Sequence, residues 1–315
     1  MQLRRQVLFV SLVAIIAACG SRTGLYTIPS ASPGEQLDGK TDALPPIDVL
    51  VPPDAPNPCP DGGSTLIYVI TSQDVLLSFY PPTATFTTIG TIACPAEDTP
   101  FSMAVDHNGN AYVAFDSGRI YLVSTRTAEC QPTDRVPTVG TFQNSFGMGF
   151  AANIGVDAGV PDADDVFETL YLAGNPNGAV TTSPIVLGSM DTTTFGITTI
   201  GTVTPEIFGS ELTGTGGGQL FGFYETTPGG ATAAVGEIDR TTGQLLAMNA
   251  LPGVDIASGW AFAFWGGDFY LFTAPDLTDT VVQRFRPSDG TVVQVAATEG
   301  LTVVGAGVST CAPQR

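Results

Sequence analysis

Lysine is almost missing from this 315-residue chain, where Lys40 is the only one. Eleven Lys and Arg face thirty Asp and Glu, a formal net charge of −19. A surface so short of positive charge repels phosphate backbones, which excludes nucleic acid as a partner. It also excludes docking on anionic lipid headgroups through a basic face. Histidine occurs once, as His107 within Asp106-His107-Asn108-Gly109. That is a turn sequence, so His107 is expected to be exposed at a hairpin tip and not to serve as a catalytic base. Charged residues make up only 13% of the chain, while Gly (37) and Pro (24) abound. Few charges and many turn-formers argue against helices and for short strands joined by tight turns. An apolar fraction of 43% supplies a real core.

The N-terminus is organised differently. Arg4 and Arg5 precede an apolar run from Val7 to Ala18, and Ile16-Ala17-Ala18-Cys19-Gly20 follows. A run of about 12 residues falls short of the roughly 20 that a spanning helix needs. Small residues directly before a cysteine resemble the bacterial lipobox. That resemblance implies that residues 1–18 are a lipoprotein signal peptide and that Cys19 is lipidated. Two or more acyl chains anchor a protein stably where one does not, so the membrane partner is reached through lipid. Gly20 in place of Asp after the cysteine implies sorting to the outer membrane of a Gram-negative cell envelope. Residues 19–62 are rich in proline, including Pro45, Pro46, Pro52, Pro53, Pro56, Pro58 and Pro60. This density blocks helices and central strands and is expected to give a disordered, extended tether.

Four cysteines remain, Cys59, Cys94, Cys130 and Cys311, with no CxxC spacing. An even number in an exported chain points to two disulfides, for which three connectivities exist, and away from zinc.

From residue 63 to 315 the pattern is of strands in repeats. An apolar-aromatic pair recurs as Ile67-Tyr68, Ala111-Tyr112, Leu170-Tyr171, Leu220-Phe221 and Phe269-Tyr270, with spacings of about 44, 59, 50 and 49. Most pairs follow an apolar strand and a Gly turn. After them come a third strand, a Thr-Gly or Asp-Gly turn such as Thr242-Gly243 and Asp289-Gly290, and a fourth strand. This is the plan of one β-propeller blade. The first repeat lacks an inner strand, and Val303–Val308 is an inner strand with nothing after it. The expected fold is therefore all-β: one propeller of five four-stranded blades, closed by the C-terminal strand. Six blades would follow if the long third repeat held an extra hairpin. Closure places Cys311 beside the strand that Cys59 precedes, so Cys59–Cys311 is the preferred pairing, which leaves Cys94–Cys130 between the first two blades. Segments 100–115, 145–150, 211–224, 260–272, 284–290 and 303–313 together resemble a group of bacterial secreted propeller lipoproteins of WD40 or YVTN type. That resemblance implies fold and location only.

Candidate chemistry is sparse. Aligning the inner strands by their following turns puts Ser102, Gly147, Glu211 and Trp260 at one height, with Val304 near it. Glu211 is the only acid among them, whereas a glycosidase needs a pair. Glu211 and Trp260 are the first candidates for a ligand site, one carboxyl beside one flat aromatic wall. Glu97, Asp98, Glu206, Asp255 and Glu299 lie in loops leading into these strands and are expected to form a negative rim suited to a cation. An insertion from Gly155 to Glu168 carries Asp157, Asp162, Asp164 and Asp165, oxygen donors that suit Ca²⁺ but lack the Gly and distal Glu of an EF-hand loop. A plain solvated loop is the competing reading, and no other cofactor is expected. Gly214–Gly218 has neither the helix nor the Lys of a phosphate-binding loop. The expected function is that of a non-enzymatic binding or scaffold module, with an envelope protein or a glycan as partner. A carbohydrate-active enzyme using Glu211 and a calcium-stabilised adhesion module are the alternatives.

Overall fold

Short apolar segments separated by Gly turns pair into sheets in chain order. A computed structural model describes residues 44–48, 66–95, 98–153, 168–176, 182–229, 232–256 and 259–315. The first blade contains Ile67–Thr71 (β1), Val75–Tyr80 (β2) and Thr85–Thr91 (β3). The second contains Pro100–Val105 (β4), Asn110–Phe115 (β5), Ile120–Ser124 (β6) and the short Cys130–Pro132 (β7). Gly147–Ala152 (β8), Glu168–Gly174 (β9), Val186–Met190 (β10) and Ile197–Thr202 (β11) form the third. Phe208–Gly214 (β12), Leu220–Glu225 (β13), Ala233–Ile238 (β14) and Leu245–Ala250 (β15) form the fourth. The fifth is Trp260–Trp265 (β16), Asp268–Thr273 (β17), Val281–Arg286 (β18) and Thr291–Ala297 (β19). The last strand, Val303–Val308 (β20), returns to pair antiparallel with β1, placing Val308 opposite Ile67 and Ala306 opposite Val69.

The result is a five-bladed β-propeller in which β20 supplies the missing inner strand of the first blade. The inner strands contact one another in the order β20, β4, β8, β12, β16 and back to β20. A strand contributed from the other end of the chain leaves no open seam in the ring. No sixth blade forms. The extra length of the third repeat sits between β8 and β9, and residues 154–167 of it lie outside the described residues.

Five apolar clusters fill the five spaces between blades, and each contains the second residue of one repeated pair. Tyr68, Tyr112, Tyr171, Phe221 and Tyr270 fall one to a cluster, all in second strands and all buried. A second strand points alternate residues at the two neighbouring blades, so each blade sends this ring into one gap, where further aromatics join it, as Phe223, Phe262, Phe264 and Phe285 do between the fourth and fifth blades. Between the fourth and fifth blades, for example, Phe269 meets Phe221 edge-on at 4.9 Å between centroids.

The inner strands must come close around a narrow axis, which explains their small residues. A Cβ on Gly147 would lie 2.1 Å from the Ser210 carbonyl oxygen, and one on Gly214 would lie 2.2 Å from that of Phe150. Turn glycines behave as the sequence implies: Gly109, Gly243 and Gly290 have φ of 82°, 77° and 72°.

Proline density made residues 19–62 read as a free tether, but Leu44 to Asp48 lie against the fourth blade. Met248 N donates to Pro45 O at 2.8 Å, Ile47 N donates to Asn249 Oδ1 at 2.9 Å, and Ile47 is buried. The proline carbonyls still accept hydrogen bonds although the ring nitrogens cannot donate, so this short stretch lines part of the outer edge of β15.

The disulfide between Cys94 and Cys130 ties the link after β3 to β7, as expected between the first two blades. Cys311 is also disulfide-bonded. Cys59 and Cys19 lie outside the described residues, so the pairing of Cys59 with Cys311 stays an expectation.

Candidate functional site: the mouth of the channel

The five inner strands begin at one end of the ring, and a cavity of about 320 Å³ opens there. Each blade sends a residue to it from the start of its inner strand: Phe101 from β4, Gly147 from β8, Glu211 from β12, Trp260 from β16 and Val304 from β20. Of the residues aligned by height from sequence, Gly147, Glu211, Trp260 and Val304 line the cavity, while Phe101 lines it in place of Ser102. Bulges bring this about. Pairing skips Phe101 between Pro100 and Ser102, and skips Val304 between Val303 and Gly305. An extra residue in a strand turns its side chain out of the ladder, here toward the cavity.

Glu211 is the floor. It is 4% exposed, and Ser102 Oγ donates to its Oε2 at 2.7 Å. Ser102 Oγ in turn accepts from Met148 N at 3.2 Å. Burial pushes the Glu211 carboxyl well above the usual carboxylate range, and the hydrogen bonds from Ser102 and Met148 only partly oppose this.

The wall carries two polar atoms that the protein leaves unpartnered. Trp260 Nε1 and Asn175 Oδ1 are both buried and without a hydrogen bond, and both residues line the cavity. An orphaned buried donor or acceptor costs about 1–3 kcal/mol. Trp260 also packs on the cluster between the fourth and fifth blades, so it is at once a packing residue and a cavity wall. Asp116 is the other acid at the cavity. Its oxygens are engaged, one by Thr99 Oγ1 at 2.6 Å and the other by Ser145 Oγ at 3.2 Å. Among the described residues no Lys or Arg lines the cavity.

Among the described residues, the expected negative rim does not line it. Asp98, Asp255, Glu206 and Glu299 are not among the lining residues. Asp98 instead accepts from Ser117 N and fixes the turn after β5, while Asp255 is exposed. Glu97 lies outside the described residues, as do Asp157, Asp162, Asp164 and Asp165. Among the described residues no cluster of three or more potential metal-ligating side chains occurs.

The opposite end of the ring holds a group that the sequence did not reveal. Glu168, the first residue of β9, is 6% exposed. Its Oε1 accepts from His107 N at 2.7 Å and lies 3.1 Å from His107 Nδ1, and its Oε2 accepts from Thr310 Oγ1 at 2.6 Å. Burial raises its pKa, opposed by these bonds and by the His107 charge. The hairpin turn at His107 forms as expected, but the side chain is only 26% exposed. This corrects the expectation of an exposed histidine. A turn tip faces water only if no neighbouring blade supplies a partner, and the third blade does. The tail from Ser309 to Arg315 crosses this end: Gly266 N donates to Pro313 O at 2.7 Å, and a Cβ on Gly216 would lie 2.4 Å from Thr310 O. The local signal is Glu168 itself, an acid two residues before the repeated Leu170-Tyr171.

No protein-family model matches the chain, and no curated protein matches it. Solved structures similar to it include one described as the crystal structure of the mitotic checkpoint complex. That match has 11% identity, covers 89% of this chain and 76% of the other, and has a TM-score of 0.36. Another is hydrazine synthase of Kuenenia stuttgartiensis, with 16% identity, 78% and 67% coverage and a TM-score of 0.39. Neither likeness bears on ligand or chemistry.

Proposed function

We propose that this chain is a lipid-anchored binding module of the cell envelope whose ligand sits in the cavity at the channel mouth. One observation carries the reading. Trp260 and Asn175 both line the cavity, each with one polar atom buried without a partner, and a ligand that reaches those atoms recovers what folding leaves unsatisfied. A hydrolytic role is less well supported. It needs one free carboxylate and one acid around the scissile bond. Here Glu211 is held by Ser102 in the floor and is 4% exposed, so Asp116 is the one carboxylate the described lining presents openly. Placement in the envelope rests on the lipobox-like Ile16–Gly20, and Cys19 is the lipidated residue.

Both parts are tested on one pair of preparations. The full chain is expected in the membrane fraction, with Cys19→Ser moving it to the soluble fraction. The purified chain is screened against a fragment library by ligand-observed NMR, with Trp260→Ala as the control. Saturable binding lost in that variant supports the reading. A library with no Trp260-dependent binder overturns it.

A further inference from the structure

We infer that the mouth cavity takes an organic cation, a protonated primary amine carried on an apolar body. The inference rests on the reading that the cavity is a binding seat, and it names the chemical class of the occupant. Both titratable groups in the described lining are carboxyls, Asp116 and Glu211. Glu211 lies in the floor at 4% exposure, whereas Asp116 is exposed. No ion pair among the described residues includes Asp116, and no described Lys or Arg lines the cavity. The charge of Asp116 is therefore left to whatever enters. It repels an anion, and a neutral ligand leaves it unanswered.

The fold holds this carboxylate in place. Asp116 follows β5, and its N donates to Thr99 O at 3.0 Å. Thr99 Oγ1 donates to Asp116 Oδ2 at 2.6 Å, and Ser145 Oγ donates to Oδ1 at 3.2 Å. The carboxylate thus bridges the segments that enter β4 and β8, the inner strands of the second and third blades. Hydroxyl donors fix an anion without cancelling its charge, and each carboxylate oxygen can accept a second bond. Asp98, which accepts from Ser117 N, adds another negative charge to the same turn. An ammonium N–H answers charge and hydrogen bonding together.

Apolar lining separates an organic cation from a metal ion. Pro100, Phe101, Leu277 and Val304 all line the cavity. Leu277 is 55% exposed and has a φ of 59°, in the left-handed region that leucine rarely adopts. Thr302 Oγ1 holds it there by donating to Leu277 O at 2.6 Å. An apolar side chain kept in water on a strained backbone costs the free protein stability, and contact with an apolar ligand body offsets that cost. A hard metal ion needs several oxygen ligands instead, and no group of three or more potential ligands occurs among the described residues. A volume of about 320 Å³ lies at the small end of ligand pockets, which suits an amine on a single ring.

Calorimetric titration of the full chain tests this with phenethylamine, phenylethanol, phenylacetate, ethylamine and Ca²⁺. Phenethylamine is expected to bind at least tenfold more tightly than each of the others. Asp116→Asn keeps size and hydrogen bonding and removes the charge, and it is expected to erase the preference for phenethylamine over phenylethanol. Raising the salt concentration gives the same reading without a variant, since it should weaken phenethylamine and leave phenylethanol unchanged. Leu277→Asn suits the left-handed backbone and removes the apolar contact. It should weaken phenethylamine while the thermal midpoint stays at or above that of the parent. Equal or tighter binding of phenylethanol or phenylacetate overturns the cation. Equal binding of ethylamine or Ca²⁺ overturns the apolar body. A preference that survives both Asp116→Asn and high salt overturns the contact with Asp116. If none of the five binds but the fragment screen finds a neutral or anionic Trp260-dependent ligand, this inference falls and the binding module stands. If nothing binds the cavity at all, both fall.

Discussion

Glu211 is an acid that the fold keeps out of water, and pH measures the consequence. Its folded pKa lies well above the ordinary value of 4.5, with burial as the main cause. In the unfolded chain the group loses its proton near 4.5, while in the folded chain it keeps it. Between those two pKa values the folded state binds more protons, so stability falls as pH rises, by up to about 1.4 kcal/mol per pH unit. Below about 4.5 both states are protonated and the penalty disappears. Glu211→Gln keeps an oxygen for the hydroxyl of Ser102 and does not ionise. The thermal midpoint of this variant, relative to the parent, should therefore rise as pH increases above about 4.5. A difference that stays flat there would falsify the raised pKa of Glu211. Glu168 has the same sign of shift, but it is present in both proteins and cancels from the comparison.

At the scale of the element, what was legible in the sequence is what repeats. The aromatic of each second strand recurs because every blade must fill the same gap, and the inner strands align because the same hairpin follows each. The outer strands were less legible, although they too carry a signal. β3 and β11 share Thr-Thr-Ile-Gly-Thr, at residues 87–91 and 198–202. In both, pairing skips the isoleucine, Ile89 or Ile200, as a bulge before the glycine. Alternation is broken there, so a search for period-two strands passes over it. Glu168 was hidden for a different reason: its partners His107 and Thr310 are 61 and 142 residues away, and no local pattern encodes a contact across three blades. Glycine substitutions separate close approach from mere turn-making. Gly147→Ala drives a methyl into the Ser210 carbonyl, whereas a Cβ on Gly201 meets Thr242 O at an ordinary 3.5 Å. Urea unfolding is expected to show a loss of at least about 1–3 kcal/mol for Gly147→Ala. Gly201→Ala should stay within about 0.5 kcal/mol of the parent. Equal effects would mean that the inner strands tolerate separation and that the tight ring is not what sets their small residues.

For the whole molecule, the ring depends on a contact between residues that are distant in the chain. β20 pairs with β1 through Ile67–Val308 and Val69–Ala306, and its other neighbours are β4 and β16. Val303, Ala306 and Val308 are all buried in the cluster between the fifth and first blades. Removing the strand exposes the edge of β1, opens one side of the channel and takes Val304 from the cavity wall. The packing and ladder lost are of the same order as the net stability of a domain, about 5–15 kcal/mol. A chain ending at Leu301 should therefore not give the single cooperative unfolding transition of the intact ring. Because the missing piece is one strand with its tail, a synthetic peptide of residues 302–315 added in trans should restore that transition in a concentration-dependent way. Circular dichroism during thermal unfolding reads both outcomes. If the truncated chain melts at the parent temperature without the peptide, four complete blades and a three-stranded first blade are self-sufficient, and closure by β20 does not hold the propeller together. If the peptide restores the transition, the cavity should return with it, since Val304 in its wall comes from the same strand.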